Sequence, residues 1–300
     1  MTDTPKTGCT LCPRECGAHR ELGERGFCGA DGTLRVARAA LHFWEEPCIS
    51  GEEGSGTVFF SGCCLKCVFC QNYEISSENA GKEITVSRLA EIFLELQEKG
   101  ANNVNLVTPT HYVPQIIEAL DRAKGEGLSL PVVYNTSGYE KVETLRMLEG
   151  MVDVWLPDFK YKSSDYARRY SGAADYFPTA CAALEEMVRQ AGEPVFNEKG
   201  IMTRGVIVRH LMLPGLAGDT KAVLRYLYER YGDSIYISIM NQYTPLPRAS
   251  AFPGLDRKLT DEEYQETVDY AISLGVENGF IQEGETAEES FIPPFDNEGV

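Results

Sequence analysis

From residue 57 onward the chain alternates short β-rich runs with amphipathic stretches, the pattern of parallel strands joined by crossover helices. Runs of apolar and β-branched residues predict strands over 57–61, 104–108, 132–135, 154–156, 206–212 and 235–240, with a short seventh at 280–281. Between the first two, Leu89, Ile92, Phe93 and Leu96 recur at helical spacing, and Gly100 follows where such a helix stops. Val113, Ile116, Ile117 and Leu120 repeat that spacing after the second strand. Further on, Asp219 predicts the cap of a helix carrying Val223 and Leu227, while Thr260 and Glu263 predict a capping box ahead of Val268 and Ile272.

These βα units in series predict an α/β architecture: a partial (β/α)6 TIM-like barrel over residues 51–282, with functional loops at the carboxyl ends of the strands. Residues 1–50 are short of helical or strand periodicity and read as a small cysteine-rich segment stapled by metal, since so short a piece has no core of its own. Residues 283–300, acidic and containing Pro293 and Pro294, read as an irregular tail over the barrel.

Composition narrows the class. A 300-residue chain with 43% hydrophobic and 24% charged content suits one large domain with an appendage. The net charge of -17, from 45 acidic against 28 basic residues, argues against a nucleic-acid partner, which needs clustered Lys and Arg. No apolar run reaches the length of a membrane span and the start has no signal-like stretch, so the chain reads as cytoplasmic with no membrane partner. Eight of the ten cysteines crowd into two short groups, and in a reducing compartment such groups are metal sites more often than disulfides.

The second group lies directly after the first predicted strand. Cys63, Cys67 and Cys70 have the spacing Cys-x3-Cys-x2-Cys, tight enough to bring three thiolates around one 4Fe-4S cluster. Four irons need four ligands, so one iron stays open to chelate a substrate or cofactor. With Phe69 before the last cysteine, the motif resembles that of the radical S-adenosylmethionine superfamily. The resemblance implies an oxidoreductase whose open iron binds the amino and carboxylate groups of S-adenosylmethionine. Reductive cleavage there yields a 5′-deoxyadenosyl radical that abstracts hydrogen from a substrate, which requires an electron donor such as flavodoxin or ferredoxin. A zinc site or a fully ligated cluster is the competing reading. Cys64 is either a fourth ligand or a buried thiol pointing away.

More of the chain is similar to pyruvate formate-lyase activating enzymes and to their relatives with a cysteine-rich N-terminus. Asn135, Thr136, Ser137 and Gly138 match the Asp-Thr-Asn-Gly pattern of the activating enzymes, Asp158 and Lys160 match Asp-x-Lys, and Arg209 matches an arginine on the fifth strand. By that resemblance Lys160 pairs with the cofactor carboxylate, while Asn135, Thr136 and Asp158 lie beside the cofactor. A plain ion pair of Asp158 with Lys160 is the alternative. The activating enzymes' Gly-Gly-Glu, which holds the cofactor amine, is replaced by Thr108-Pro109-Thr110-His111-Tyr112, so Thr108, Thr110 and His111 become candidates for that contact. Asn241, Gln242 and Tyr243 form a weaker polar group after the sixth strand.

Cys9, Cys12, Cys16 and Cys28 form the other group and read as a closed site for zinc or an auxiliary cluster. Residues 42–48, including Cys48, either pack as a linker or reach the active site, and Cys181 shares a helical face with Leu184 and Val188 as a core residue. The expected function is hydrogen abstraction from a substrate, as in activation of a glycyl-radical enzyme or modification of another protein. Radical modification of a small molecule or peptide is a second reading, and a non-catalytic iron-sulfur or zinc protein for electron transfer or scaffolding is a third.

Overall fold

The apolar runs that predict strands are strands, and their order in space follows their order in the chain. The computed structural model describes residues 8–282 and 293–300. Its strands are β1 (Leu34–His42), β2 (Ser55–Phe60), β3 (Lys82–Ile84), β4 (Val104–Val107), β5 (Val132–Thr136), β6 (Val154–Pro157), β7 (Val195–Phe196), β8 (Met202–Leu211), β9 (Tyr236–Met240) and β10 (Gly279–Ile281). They run β3-β1-β2-β4-β5-β6-β8-β9-β10 in one sheet, with β7 paired antiparallel to β8. From β2 to β10 every neighbouring pair on this path is parallel, so the carboxyl ends gather on one side. The sheet curves as a partial barrel and does not close.

The crossover helices form as their periodicity requires. Helix Val86–Glu98 buries Leu89, Ile92, Phe93 and Leu96, and helix Val113–Gly125 buries Val113, Ile116 and Leu120. Thr260 and Glu263 make the capping box at the start of helix Asp261–Leu274. Asp219 behaves differently from expectation. The helix Ala217–Tyr231 begins two residues earlier, and the Asp219 carboxylate instead accepts from the backbone N–H groups of Lys162 and Ser163 at 3.0 and 2.8 Å. It thereby ties down the loop that follows β6.

Strand β1 is the main departure, because it falls within the segment read as lacking strand periodicity. It pairs antiparallel with β2, and a register shift between Val36 and Arg38 breaks the alternation that marks a strand in sequence. The described part of the tail runs beside it: Ala39 N–H donates to Glu298 O at 2.8 Å and Asn297 N–H to Ala37 O at 3.0 Å. Residues 283–292 of the predicted tail lie outside the described residues. After β1 the short helix Pro47–Ser50 buries Cys48 and Ile49 against Val133, Val154, Leu156 and Ile207 of the parallel strands. This packing draws residues 42–47 across the barrel. Among the described residues, no helix is long and apolar enough to cross a membrane.

Candidate active site

Strand β2 delivers the cysteine loop to the carboxyl end of the sheet, and Gly62 makes the turn possible. Its φ is +95°, and a Cβ there would lie 2.9 Å from Cys28 O and 3.0 Å from His111 Nε2. The loop is buried and supplied with donors. Ser171 Oγ donates to Cys67 Sγ at 2.9 Å, Ser76 Oγ to Cys70 Sγ at 3.4 Å, and the Leu65 N–H to Cys63 Sγ at 3.4 Å. Burial pushes the Cys67 thiol up to about 12 and raises that of Cys70, while the Lys160 charge acts on all three in the opposite sense. Such thiols ionise readily once a cation pairs them, and donors aimed at sulfur suit thiolate ligands. This donor set fits a cluster with three cysteine ligands.

Next to the loop lies a line of alternating charges along the strand ends. Lys160 Nζ donates to Asp158 Oδ2 at 2.6 Å, and Arg209 Nε donates to Asp158 Oδ1 at 3.1 Å. Arg209 Nη1 goes on to Glu45 Oε2 at 2.9 Å, and its Nη2 donates to Asn135 Oδ1. Glu45 Oε1 also accepts from Asn105 Nδ2 at 3.0 Å and Asn135 Nδ2 at 3.3 Å. Burial opposes the ionised form of Asp158, but Lys160 and Arg209 outweigh it and hold the carboxyl below its usual range. Burial likewise opposes the charges of Lys160 and Arg209, and the Asp158 carboxylate overcomes it in both.

The cavity above this array has a volume of about 380 Å³ and is lined by Phe69, Cys70, Asn135, Asp158, Lys160, Arg209 and Gln242 among others. Six of these seven pocket residues come from the sequence-predicted set as site or cluster positions, and Gln242 from the weaker polar group. Residues 42–48, left open between linker and site, contribute His42, Trp44, Glu45, Glu46 and Pro47 to the same walls. Burial holds the His42 ring down at about 4.

Several candidates lie elsewhere. Thr110 Oγ1 donates to Glu140 Oε1 at 2.6 Å, and the Thr136 hydroxyl donates to the same oxygen. His111 is buried with Nε2 2.7 Å from Ser61 O. Thr108 has φ +58°, a strained turn for a β-branched residue, and this bend sends the following side chains under the cysteine loop instead of into the cavity. Tyr243 is buried with its hydroxyl on Leu255 O, and the Asn241 N–H donates to Gln282 Oε1. Cys48 lies in the barrel floor, and Cys181 packs half-buried against the core.

Cys64 does point away from the cavity. Its thiol donates to Tyr139 O at 3.8 Å, and Arg14 Nε donates to its carbonyl at 2.8 Å. The Cys63 N–H donates to Cys28 O at 3.2 Å, so the N-terminal group packs directly against the cysteine loop. Within that group the sulfurs of Cys16 and Cys28 flank Gly26, and Cys28 senses the charges of Cys12 and Cys9. All ten cysteines are free thiols.

Comparison with known proteins agrees with this arrangement. Residues 57–226 match the Radical SAM superfamily. Two uncharacterized proteins of Methanocaldococcus jannaschii are similar along most of the chain. MJ0674 is 31% identical over 88% of this chain and 74% of its own length, and MJ0808 is 25% identical over 92% and 80%. Among solved structures, HydG, a maturase of the FeFe-hydrogenase, superposes with a TM-score of 0.51 at 17% identity. That likeness is one of fold. It covers 76% of this chain and 52% of HydG, so the chain spans about half the length of that protein. The family match begins in the strand that carries the cysteine loop and runs past the arginine strand, and this chain belongs to the radical S-adenosylmethionine superfamily.

Proposed function

We propose that the chain holds a 4Fe-4S cluster on Cys63, Cys67 and Cys70, cleaves S-adenosylmethionine reductively there, and abstracts hydrogen from a substrate. When bound, the reduced cluster supplies the electron that breaks the cofactor's sulfur–carbon bond, leaving methionine and a 5′-deoxyadenosyl radical. The observation that carries this reading is a shared cavity: Phe69 and Cys70 of the cysteine loop line the same space as Asp158, Lys160 and Arg209.

Each of these side chains has a physical task. The Ser171 and Ser76 hydroxyls hold sulfur ligands in place, and Phe69 packs edge-on against Tyr161, keeping water from the loop. Lys160, whose charge acts on all three cysteines and which lines the cavity beside Cys70, pairs with the cofactor carboxylate. Asp158 keeps Lys160 and Arg209 charged within a buried site, and Asn135 fixes the plane of the Arg209 guanidinium. A flavodoxin or ferredoxin is the proposed electron donor, and the cytoplasm, where free thiols stay reduced, is the proposed setting.

Activation of a glycyl-radical enzyme and modification of a peptide or small molecule both use this half-reaction. Cys9, Cys12, Cys16 and Cys28 are proposed to hold a second metal, zinc or an auxiliary cluster, beside the first. Variants lacking Cys9 and Cys12 would identify it by their zinc and iron content.

The test is spectroscopic. After anaerobic reconstitution and reduction, addition of S-adenosylmethionine should change the electron paramagnetic resonance signal of the cluster, and Cys67→Ala should lack that signal. An intact cluster whose signal ignores S-adenosylmethionine would overturn the assignment of an open iron.

A further inference from the structure

The charge array leaves one acidic group over. Lys160 and Arg209 balance Asp158 and Glu45, and the Nε, Nη1 and Nη2 atoms of Arg209 are each committed to a partner. Glu46 lines the same cavity, is only 7% exposed, and its Oε2 has no hydrogen-bond partner among the described residues. Asn105, fully buried with its amide nitrogen spent on Glu45, also has an unpartnered Oδ1 among the described residues, but it lies outside the cavity walls.

Buried polar atoms are hydrogen-bonded in folded proteins, so an unsatisfied carboxyl oxygen on a cavity wall marks a place where a ligand supplies the partner. Burial pushes the Glu46 carboxyl up, with Arg209 opposing and Glu45 adding to the rise, so the group lacks a cation of its own and an arriving one would favour its ionised, acceptor-only form. An incoming carboxylate or phosphate would be repelled, whereas an ammonium brings donors alone and the opposite charge. Phe59, Leu211, Met240 and Phe280 give the surrounding wall an apolar surface. We infer that Glu46 forms a subsite for the ammonium group of an organic amine substrate.

This inference rests on the proposed function for the word substrate, since S-adenosylmethionine carries an ammonium group as well. The two sources separate along the charge array. Lys160 is held by Asp158 Oδ2, and Arg209 by Asp158 Oδ1 and by Glu45, the residue before Glu46. The array thus runs from Lys160, the proposed cofactor contact, through Asp158 and Arg209 to the segment that carries Glu46.

The experiment measures equilibrium binding to the anaerobically reconstituted full chain, which needs no turnover. n-Butylammonium is compared with its neutral isostere n-butanol by calorimetry, with and without saturating S-adenosylmethionine. The ammonium should bind at least tenfold more tightly than the alcohol, equally well when S-adenosylmethionine is present, and Glu46→Gln should abolish the preference. Glu46→Asp, which retracts the charge without removing it, should weaken ammonium binding and serves if the glutamine variant does not fold. Absence of ammonium binding, equal binding of the alcohol, or retention of the preference in a folded Glu46→Gln variant overturns the subsite. Displacement by S-adenosylmethionine assigns it to the cofactor and overturns the substrate claim. A chain that fails to cleave S-adenosylmethionine but shows the ammonium preference would sink the proposed reaction and leave the subsite standing.

Discussion

Arg209 donates from Nη1 to Oε2 of Glu45 at 2.9 Å, joining strand β8 to the segment after β1 across 164 residues of chain. The side chains are 15% and 8% exposed, so neither charge is well solvated without the other. Removing one member of a buried pair leaves the other uncompensated, at a cost of about 3–5 kcal/mol. Asp158 and Asn135 still hold Arg209, which puts Glu45→Ala toward the lower figure. Thermal or denaturant unfolding should show this loss. Glu45→Gln should lose less, because a side-chain amide still accepts one hydrogen bond from Arg209. Equal stability of wild type and Glu45→Ala would mean that the segment does not hold the array together.

Gly138 gives a sharper test of the array's position. Its φ is +76°, and a Cβ there would lie 2.2 Å from the Asp158 carbonyl oxygen. Backbone cannot yield as a flexible side chain does, so Gly138→Ala should displace Asp158 and Lys160 together. The expected result is a variant that binds iron as wild type does, with affinity for S-adenosylmethionine reduced at least tenfold. Unchanged affinity would separate Lys160 from the cofactor.

Thr110 tests the reassignment of the loop after β4. Its hydroxyl serves Glu140, whose other carboxyl oxygen has no partner among the described residues, and burial holds that carboxyl up at about 8. Thr110→Val takes away a donor from a buried acceptor and should cost about 1–3 kcal/mol of stability. Because the side chain does not line the cavity, the Michaelis constant for S-adenosylmethionine should stay within twofold of wild type. A large rise in that constant would restore Thr110 as a cofactor contact.

Glu186 ties helix Tyr176–Ala191 to Arg146. Its carboxylate accepts from Arg189 at 2.7 and 3.1 Å and from Gln190 at 2.8 Å, and lies 3.5 Å from Arg146. These partners, Arg189 first, hold the carboxyl down at about 2, below its value in the unfolded chain. The folded form therefore binds the proton more weakly. The resulting stability is complete above a pH of about 4.3 and is lost as pH falls towards the folded value. Measured in urea across that window, wild type should lose stability faster than Glu186→Gln. Parallel curves would show that the ion pairs are screened out by solvent.

Much of the fold was legible because its signals are periodic. The strands carry runs of Val, Ile and Leu, the helices repeat apolar residues at helical spacing, and the cysteine spacing follows directly from the first parallel strand. Strand β1 escaped because its register shifts between Val36 and Arg38, and Ala37, Ala39 and Ala40 are too small to mark an alternation. Glu45 and Glu46, in the segment left open between linker and site, were undecided for another reason. Adjacent carboxylates in a connecting segment look like a solvated surface, and only the burial of Cys48 and Ile49 in the barrel floor carries them inside. Thr110 and His111 were misplaced because adjacency to a strand end does not say which way a loop turns, and the left-handed Thr108 turns this one back under the cysteines.

The central claim concerns what Cys63, Cys67 and Cys70 do together, and its most direct measurement is product analysis. Anaerobically reconstituted protein, reduced with dithionite and supplied with S-adenosylmethionine, should form 5′-deoxyadenosine and methionine in equal amounts, and the Cys67→Ala variant should form neither. Wild type with a complete cluster that releases no 5′-deoxyadenosine, or Cys67→Ala that releases as much as wild type, would contradict the account.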